Sequence, residues 1–241
     1  VYLAEARRLK AQGRIRSVDK SEINMGITEA QEDAYLEAIE EVLDERGQEI
    51  ITPDVLFEAA DRAATKLGCK SDVRAHVGLQ PGTMNPLHYG HITASLAGVI
   101  GQQLDMVLLA NGGTVPDKPY AASADLRNEM ARRAVSSDAG LEEFLAVTAI
   151  RGEVADMFLR SPDTRYKAGR NEGQRRFNMD MAAFIWLFVT NPNVEWIYLV
   201  GSDKVAGYGP KDERGLIIHT LGDERAHAQV VYFTREGDEI D

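Results

Sequence analysis

The chain of 241 residues has a single cysteine, Cys69. That excludes an intramolecular disulfide framework and a cysteine-built zinc cluster. A reducing, cytoplasmic setting is the expectation that follows. Long apolar runs are also missing. The longest, Met181 to Val189, falls well short of the roughly 18–20 residues that a membrane-spanning helix needs, so no membrane partner is expected. Val1 to Arg16 alternates charged and apolar residues and lacks the basic-then-apolar order of a signal peptide. Positive charge is in deficit, with 27 Lys and Arg against 38 Asp and Glu, a net charge of −11. Broad electrostatic binding to nucleic acid is disfavoured. A small anionic substrate is not, because salt screens exposed charges beyond about 8 Å and a local cluster of donors outweighs a distant net charge. Two common phosphate-binding signatures, G-x-x-x-x-G-K-[ST] and G-x-G-x-x-G, do not occur.

What is present divides the chain in two. Residues 1–70 read as a helical, highly charged N-terminal extension. Thr28-Glu29-Ala30-Gln31 has the form of a capping box. Behind it Tyr35, Leu36, Ile39, Val42 and Leu43 recur at helical spacing up to Gly47. Thr52-Pro53 opens a second helix, with Leu56, Phe57, Ala60, Ala64 and Leu67 on one side and Gly68 as its stop. These residues carry no catalytic pattern and read as a packing or partner-binding appendage. Residues 71–241 alternate between strand and helix. Strands are predicted at Val73–Leu79, Met106–Ala110, Phe144–Ile150, Val194–Val200 and Gln229–Thr234. Helices are predicted at His88–Gln103, from Ser123 to about Ser136, and at Phe177–Thr190. This alternation predicts an α/β fold, a Rossmann-like doubly wound parallel sheet, with ligands taken beyond the carboxyl ends of its strands.

Only five histidines occur, and two of them, His88 and His91, share one short turn after the first predicted strand. On a helix, residues three apart share a face. At the first turn the imidazoles would lie near unpaired backbone N–H groups and the positive end of the dipole, which favours an anion. Gly90 lets a phosphate approach the backbone, and Gly82 and Thr83 permit a sharp turn. Such a pair can donate to phosphoryl oxygens as charge builds during in-line displacement. The pair alone is also compatible with a solvated helix start. Zinc is a weaker rival, since the H-E-x-x-H order and a cysteine partner are missing.

The full stretch Gly82-Thr83-Met84-Asn85-Pro86-Leu87-His88-Tyr89-Gly90-His91 resembles the signature of the H-x-G-H nucleotidyltransferase superfamily. Within it, the likeness is greatest to nicotinate mononucleotide adenylyltransferases, which usually read Gly-Gly-Thr-Phe-Asp/Asn-Pro-x-His-x-Gly-His. Here Pro81 stands for the first glycine and Met84 for the phenylalanine. The run Val107 to Pro119 is similar to the family's strand and Pro-Pro-His-Lys loop, with Lys118 at the lysine and Asp117 at the histidine. Ala122-Ser123-Ala124-Asp125-Leu126-Arg127 resembles the Ala-Ser-x-x-x-Arg helix start, and Gly201-Ser202-Asp203 the G-x-D segment. The resemblance implies that His88 and His91 hold ATP phosphates, that Gly82, Thr83, Met84 and Gly90 line the nucleotide, and that Lys118 and Arg127 contact phosphates. Gly201 and Asp203 would hold nucleotide and acceptor. It further implies AMP transfer from ATP, with Mg²⁺, to nicotinate or nicotinamide mononucleotide, releasing pyrophosphate. A cytidylyltransferase, a phosphopantetheine-type adenylyltransferase and a non-catalytic nucleotide-binding protein share enough of the pattern to remain open. Self-association is compatible with the sequence and not specified by it. The family's Ser-Tyr-Thr-x-Asp stretch is here Arg176-Phe177-Asn178-Met179-Asp180, and its Ser-Ser-Thr-x-x-Arg helix start has no counterpart. A basic stretch containing Arg165, Lys167, Arg170, Arg175 and Arg176 reads as a solvated loop before a phosphate-contacting one.

Overall fold

The computed structural model describes residues 1–48, 51–111, 120–137, 140–148, 182–201 and 220–234. The apolar runs become strands: β1 (Ala75–Gly82), β2 (Met106–Asn111), β3 (Leu145–Val147), β4 (Val194–Gly201) and β5 (Ala228–Phe233). All neighbours pair in parallel, in the order β3-β2-β1-β4-β5. The chain steps outward from β1 to β2 and β3. It then returns to the other side of β1 for β4 and β5. The order reverses between β1 and β4, which makes this a doubly wound, Rossmann-like sheet with its switch point at that pair.

Parallel strands need long crossovers, and helices supply them. In chain order the helices are α1 (Tyr2–Ala11), α2 (Glu29–Arg46), α3 (Pro53–Leu67), α4 (Tyr89–Gln102), α5 (Ala124–Ser137) and α6 (182–190). Successive strand residues point to opposite faces, so each strand feeds two cores. Val77, Leu79, Leu108, Trp196 and Tyr198 pack with α2, α3 and α6. Val107, Leu109, Leu145, Ile197 and Leu199 pack with Ala6 and Leu9 of α1, Leu96 and Val99 of α4, and Ala131 and Val135 of α5.

The first 70 residues therefore contribute helices to both faces. Their local signals act as the pattern predicts. Thr28 and Gln31 form the capping box of α2, Thr52 caps α3 ahead of Pro53, and Gly47 and Gly68 end the two helices at φ 60°. Ser123 accepts from Leu126 N–H at the start of α5. Between α1 and α2 the chain passes the amino-terminal edge of the sheet. Asp105, with a side chain only 2% exposed, accepts from the guanidinium and the amide of Arg16 and from His76 N–H. Asn24 and Asn191 exchange two side-chain-to-backbone hydrogen bonds of 2.9 Å each.

Two glycines set how closely the layers approach. A Cβ at Gly78 of β1 would lie 2.8 Å from Leu104 Cδ1 and from Val107 Cγ2, and one at Gly98 of α4 would lie 2.9 Å from Leu199 Cδ1. α4 is thereby seated low over β1 and β4, and Ser95 of α4 donates to buried Gln80 of β1.

Some element ends differ from the sequence pattern. β1 runs past Leu79 to Gly82, because its ladder with β2 continues through Pro81↔Ala110 and Gly82↔Asn111. The recorded ladder with β4 stops at Leu79↔Tyr198, so proline, which lacks an N–H, sits past the end of that ladder. His88 is the N-cap of α4 rather than its first residue, and Gln103 ends it at φ 53°. Among the described residues no helix is long and apolar enough to cross a membrane. The basic stretch from Arg165 to Arg176 lies outside the described residues, as does the stretch from Phe177 to Asp180.

Candidate functional site

Three strand ends converge at the switch point. Gly82 ends β1 in register with Asn111, the last residue of β2. Three residues beyond their last recorded pair, β1 and β4 end at Gly82 and Gly201, on either side of the reversal in strand order. The resemblance-derived residues Gly82 and Gly201 therefore share the carboxyl edge. Lys118 and Asp203 lie outside the described residues.

From Gly82 the chain makes an unusual descent into α4. Met84 has φ 44°, in the left-handed region, yet its side chain is 1% exposed. It packs in the core beneath α4. A buried non-glycine residue with positive φ is uncommon and needs firm restraint. The Asn85–Pro86 peptide bond is cis.

His88 and His91 then cap the first turn of α4 with their side chains. Gly90 N–H donates to His88 Nδ1 at 3.1 Å, and His88 N–H donates to His91 Nδ1 at 3.4 Å. The rings sit 4.0 Å apart, tilted by 37°. Histidine thus takes the place usually held by Ser, Thr, Asp or Asn. The sequence-based expectation of unpaired amides here is corrected: Gly90 N–H goes to an imidazole, and His91 N–H and Ile92 N–H both reach the His88 carbonyl. With Nδ1 accepting, an uncharged imidazole carries its proton on Nε2, so each ring holds an Nε2–H donor away from the cap. Position 90 must be small for this reason too, since a Cβ there would lie 2.9 Å from His88 Cε1. His91 Nε2 is 3.7 Å from where a Cβ on Gly82 would stand, which sets this ring over the end of β1. His88 is exposed and His91 half-buried. The first turn of α4 contains no acidic residue, so the positive end of its dipole is not offset there.

No family model matches the chain, and no curated protein does. The site is therefore read from its own geometry.

The remaining named residues sort by what they touch. Thr83 follows β1, and its carbonyl accepts from Arg127 Nη1 at 2.5 Å. Arg127 is 1% exposed, and its Nε donates to Ala122 O at 2.9 Å. Two side chains not singled out by the sequence join them. Asn85 Oδ1 accepts from Ala122 N–H at 3.2 Å. Asn111 Nδ2 donates to Asn128 Oδ1 at 2.9 Å, while Asn111 Oδ1 is buried without a hydrogen-bond partner among the described residues. An asparagine ending an apolar strand was the available signal for the second of these. Tyr89 is 84% exposed beside the histidines.

Cavities elsewhere are separate from this edge. One of about 440 Å³ is lined by His76, Glu195, Trp196, Asp223 and His227, where β1, β4 and β5 begin. Another of about 530 Å³ lies between Phe57, Arg62, Phe188, Pro192 and Arg225. The cations beside the second are already paired. Arg62 meets Glu45 and Glu58, and Arg225 meets Asp54 and Asp223 while lying over the Phe57 ring at 4.5 Å. Among the described residues no group of three or more His, Cys, Asp or Glu is placed to hold a metal ion.

Proposed function

We propose that the chain is an H-x-G-H nucleotidyltransferase that transfers AMP from ATP to nicotinate or nicotinamide mononucleotide, forming a dinucleotide of the NAD type and releasing pyrophosphate. The observation that carries the reading is the pair of imidazoles capping α4 at the switch point, with the His91 ring over the end of β1 and His88 exposed beside it. In this reaction a 5′-phosphate oxygen of the mononucleotide attacks the α-phosphorus of ATP. The bond from that phosphorus to the bridging oxygen breaks, and pyrophosphate leaves with the electron pair. Negative charge grows on the non-bridging and leaving oxygens, and fixed donors lower that barrier without reorganising. Holding both substrates in line supplies a further large part of the acceleration. No covalent intermediate on the protein is required.

The donor set suits phosphate oxygens and does not suit a resident divalent cation, which prefers carboxylate and carbonyl oxygens. Mg²⁺ accordingly enters as part of the substrate, on the oxygens of ATP. The protein's own work is to orient the phosphates through His88 and His91 and to keep the turn at Gly82–Met84 in place.

The test is pyrophosphate release from Mg·ATP with each mononucleotide in turn. CTP runs alongside as the competing nucleotide. Turnover with ATP and a pyridine mononucleotide is expected, and His91→Ala should lower it by about 10²–10³-fold with the fold retained. Folded protein that releases no pyrophosphate with either acceptor removes the assignment. An unchanged rate in His91→Ala removes the role given to the imidazole.

A further inference from the structure

Arg127 is among the largest fully buried side chains of the described chain. Burying a guanidinium is unfavourable unless its N–H groups find acceptors. Here two of the acceptors are backbone carbonyls from different segments: Thr83 O just past β1 and Ala122 O just ahead of α5. The same two segments are joined a second time, by Ala122 N–H on Asn85 Oδ1. Arg127 is itself fixed by α5, since its own N–H donates to Ser123 O at 3.0 Å. The neighbouring Asn128 accepts from Asn111 at the end of β2. The first turn of α5 thus grips the carboxyl ends of β1 and β2 together.

That grip falls on a particular peptide. Thr83 O belongs to the peptide that leads into Met84, whose φ of 44° turns the chain toward His88. Left-handed backbone at a non-glycine residue persists only under outside restraint. The buried Met84 side chain holds one side of it and the Arg127 fork holds the other. A planar fork with several N–H donors can span two carbonyls in fixed geometry, which an ammonium cannot reproduce.

We propose that Arg127 is a positioning residue for the site. It locks the Thr83 carbonyl, and through it the turn that seats the two histidines, and it acts on the reaction through that turn rather than by touching a phosphate. The catalytic half of this statement rests on the nucleotidyl-transfer reading; the clamp itself does not.

Arg127→Lys and Asn85→Ala test it together. The first keeps the charge and loses the fork, and the second removes the other strut from an exposed position. Amide hydrogen exchange of peptides spanning Gly82–His91 is measured without nucleotide, beside kcat and KM for ATP. Both variants are expected to raise exchange in that stretch by about tenfold or more, with peptides from α2 and α3 unchanged. For both, kcat should fall about tenfold while KM for ATP changes less than about threefold. Unchanged exchange at Gly82–His91 in both variants overturns the clamp. A rise in KM for ATP at constant kcat and constant exchange in Arg127→Lys overturns it in favour of a direct phosphate contact. Should Arg127→Lys fail to fold, Arg127→Gln takes its place in the same measurements. Should the unaltered protein release no pyrophosphate, the transferase reading falls, and the exchange results still decide whether Arg127 holds the turn.

Discussion

The two edges of the sheet use polar groups in opposite ways. At the amino-terminal edge charges neutralise one another. Asp105 is buried under Arg16 and the His76 amide, and Arg225 sits between Asp54 and Asp223. At the carboxyl edge polar atoms are spent on shaping backbone. Arg127 holds carbonyls, and the two imidazoles accept from the backbone amides of Gly90 and His88. One edge pairs its charges and the other spends its polar groups on a turn. A cavity is therefore a poor guide here. The two cavities described lie away from the switch point, and the cations beside the second are already paired.

The largest expected effect tests the amino-terminal edge. Asp105→Ala leaves Arg16 without its carboxylate and the His76 amide without its side-chain acceptor. Arg16 is itself exposed, so the cost is that of two amides, of Arg16 and His76, left without their side-chain acceptor, about 1–3 kcal/mol apiece, to be read as a lower denaturation midpoint in urea. If the edges are distinct, nucleotide affinity of the folded fraction stays unchanged. A smaller loss is expected for Gly78→Val, whose added atoms meet Leu104, Val107 and Leu199 at 3.0 Å or less. Overpacking at such a site costs about 1–3 kcal/mol. At the carboxyl edge, Gly90→Ala displaces the His88 ring, yet alanine suits a helix, so the net stability change should stay within about 1 kcal/mol. Pyrophosphate release should nonetheless fall in that variant. Equal losses of stability in Gly90→Ala and Asp105→Ala would erase the contrast between the edges.

The smallest effect is that of acid. Arg46 holds the Asp54 carboxyl below its ordinary range, Arg62 does the same for Glu58, and Arg225 for Asp223. Depressed carboxyl pKa values stabilise the folded state above the unfolded range, and that contribution is lost as pH falls through the folded values. A thermal melt should therefore be flat above about pH 5 and decline below about pH 4. These pairs are largely exposed, so each contributes little, and raised salt should shrink the decline.

Much of the fold is legible along the chain because the signals are local. β2 is a continuous apolar run, as a strand buried on both faces must be. Thr28, Thr52, Gly47 and Gly68 mark helix ends by hydrogen bonds and backbone angles that act within a few residues. α1 is harder to read, since only Ala6 and Leu9 of its ten residues are buried. It packs against α4 through those two residues, and the Arg16–Asp105 link beyond it joins residues 89 apart in sequence.

The site divides along the same line. The order of glycine, threonine, proline and two histidines after a strand is local, and it directs attention to the carboxyl edge. Its internal hydrogen bonding is not evident from the sequence. Nothing in residue order says that the Nδ1 atoms of His88 and His91 would take the backbone donors expected to be unpaired. Nor does it say that Arg127, read from a motif as a phosphate contact, would be buried across Thr83 and Ala122.

The sequence by itself determined the alternation of elements, the positions of their caps and the turn that carries the histidines. Each of these rests on interactions spanning a few residues. Only the tertiary structure decided that β1 lies between β2 and β4, that residues 1–70 cover both faces, and that a buried arginine on α5 holds the turn after β1. Those outcomes depend on groups brought together by packing, whose distances along the chain carry no signal of their contact in space.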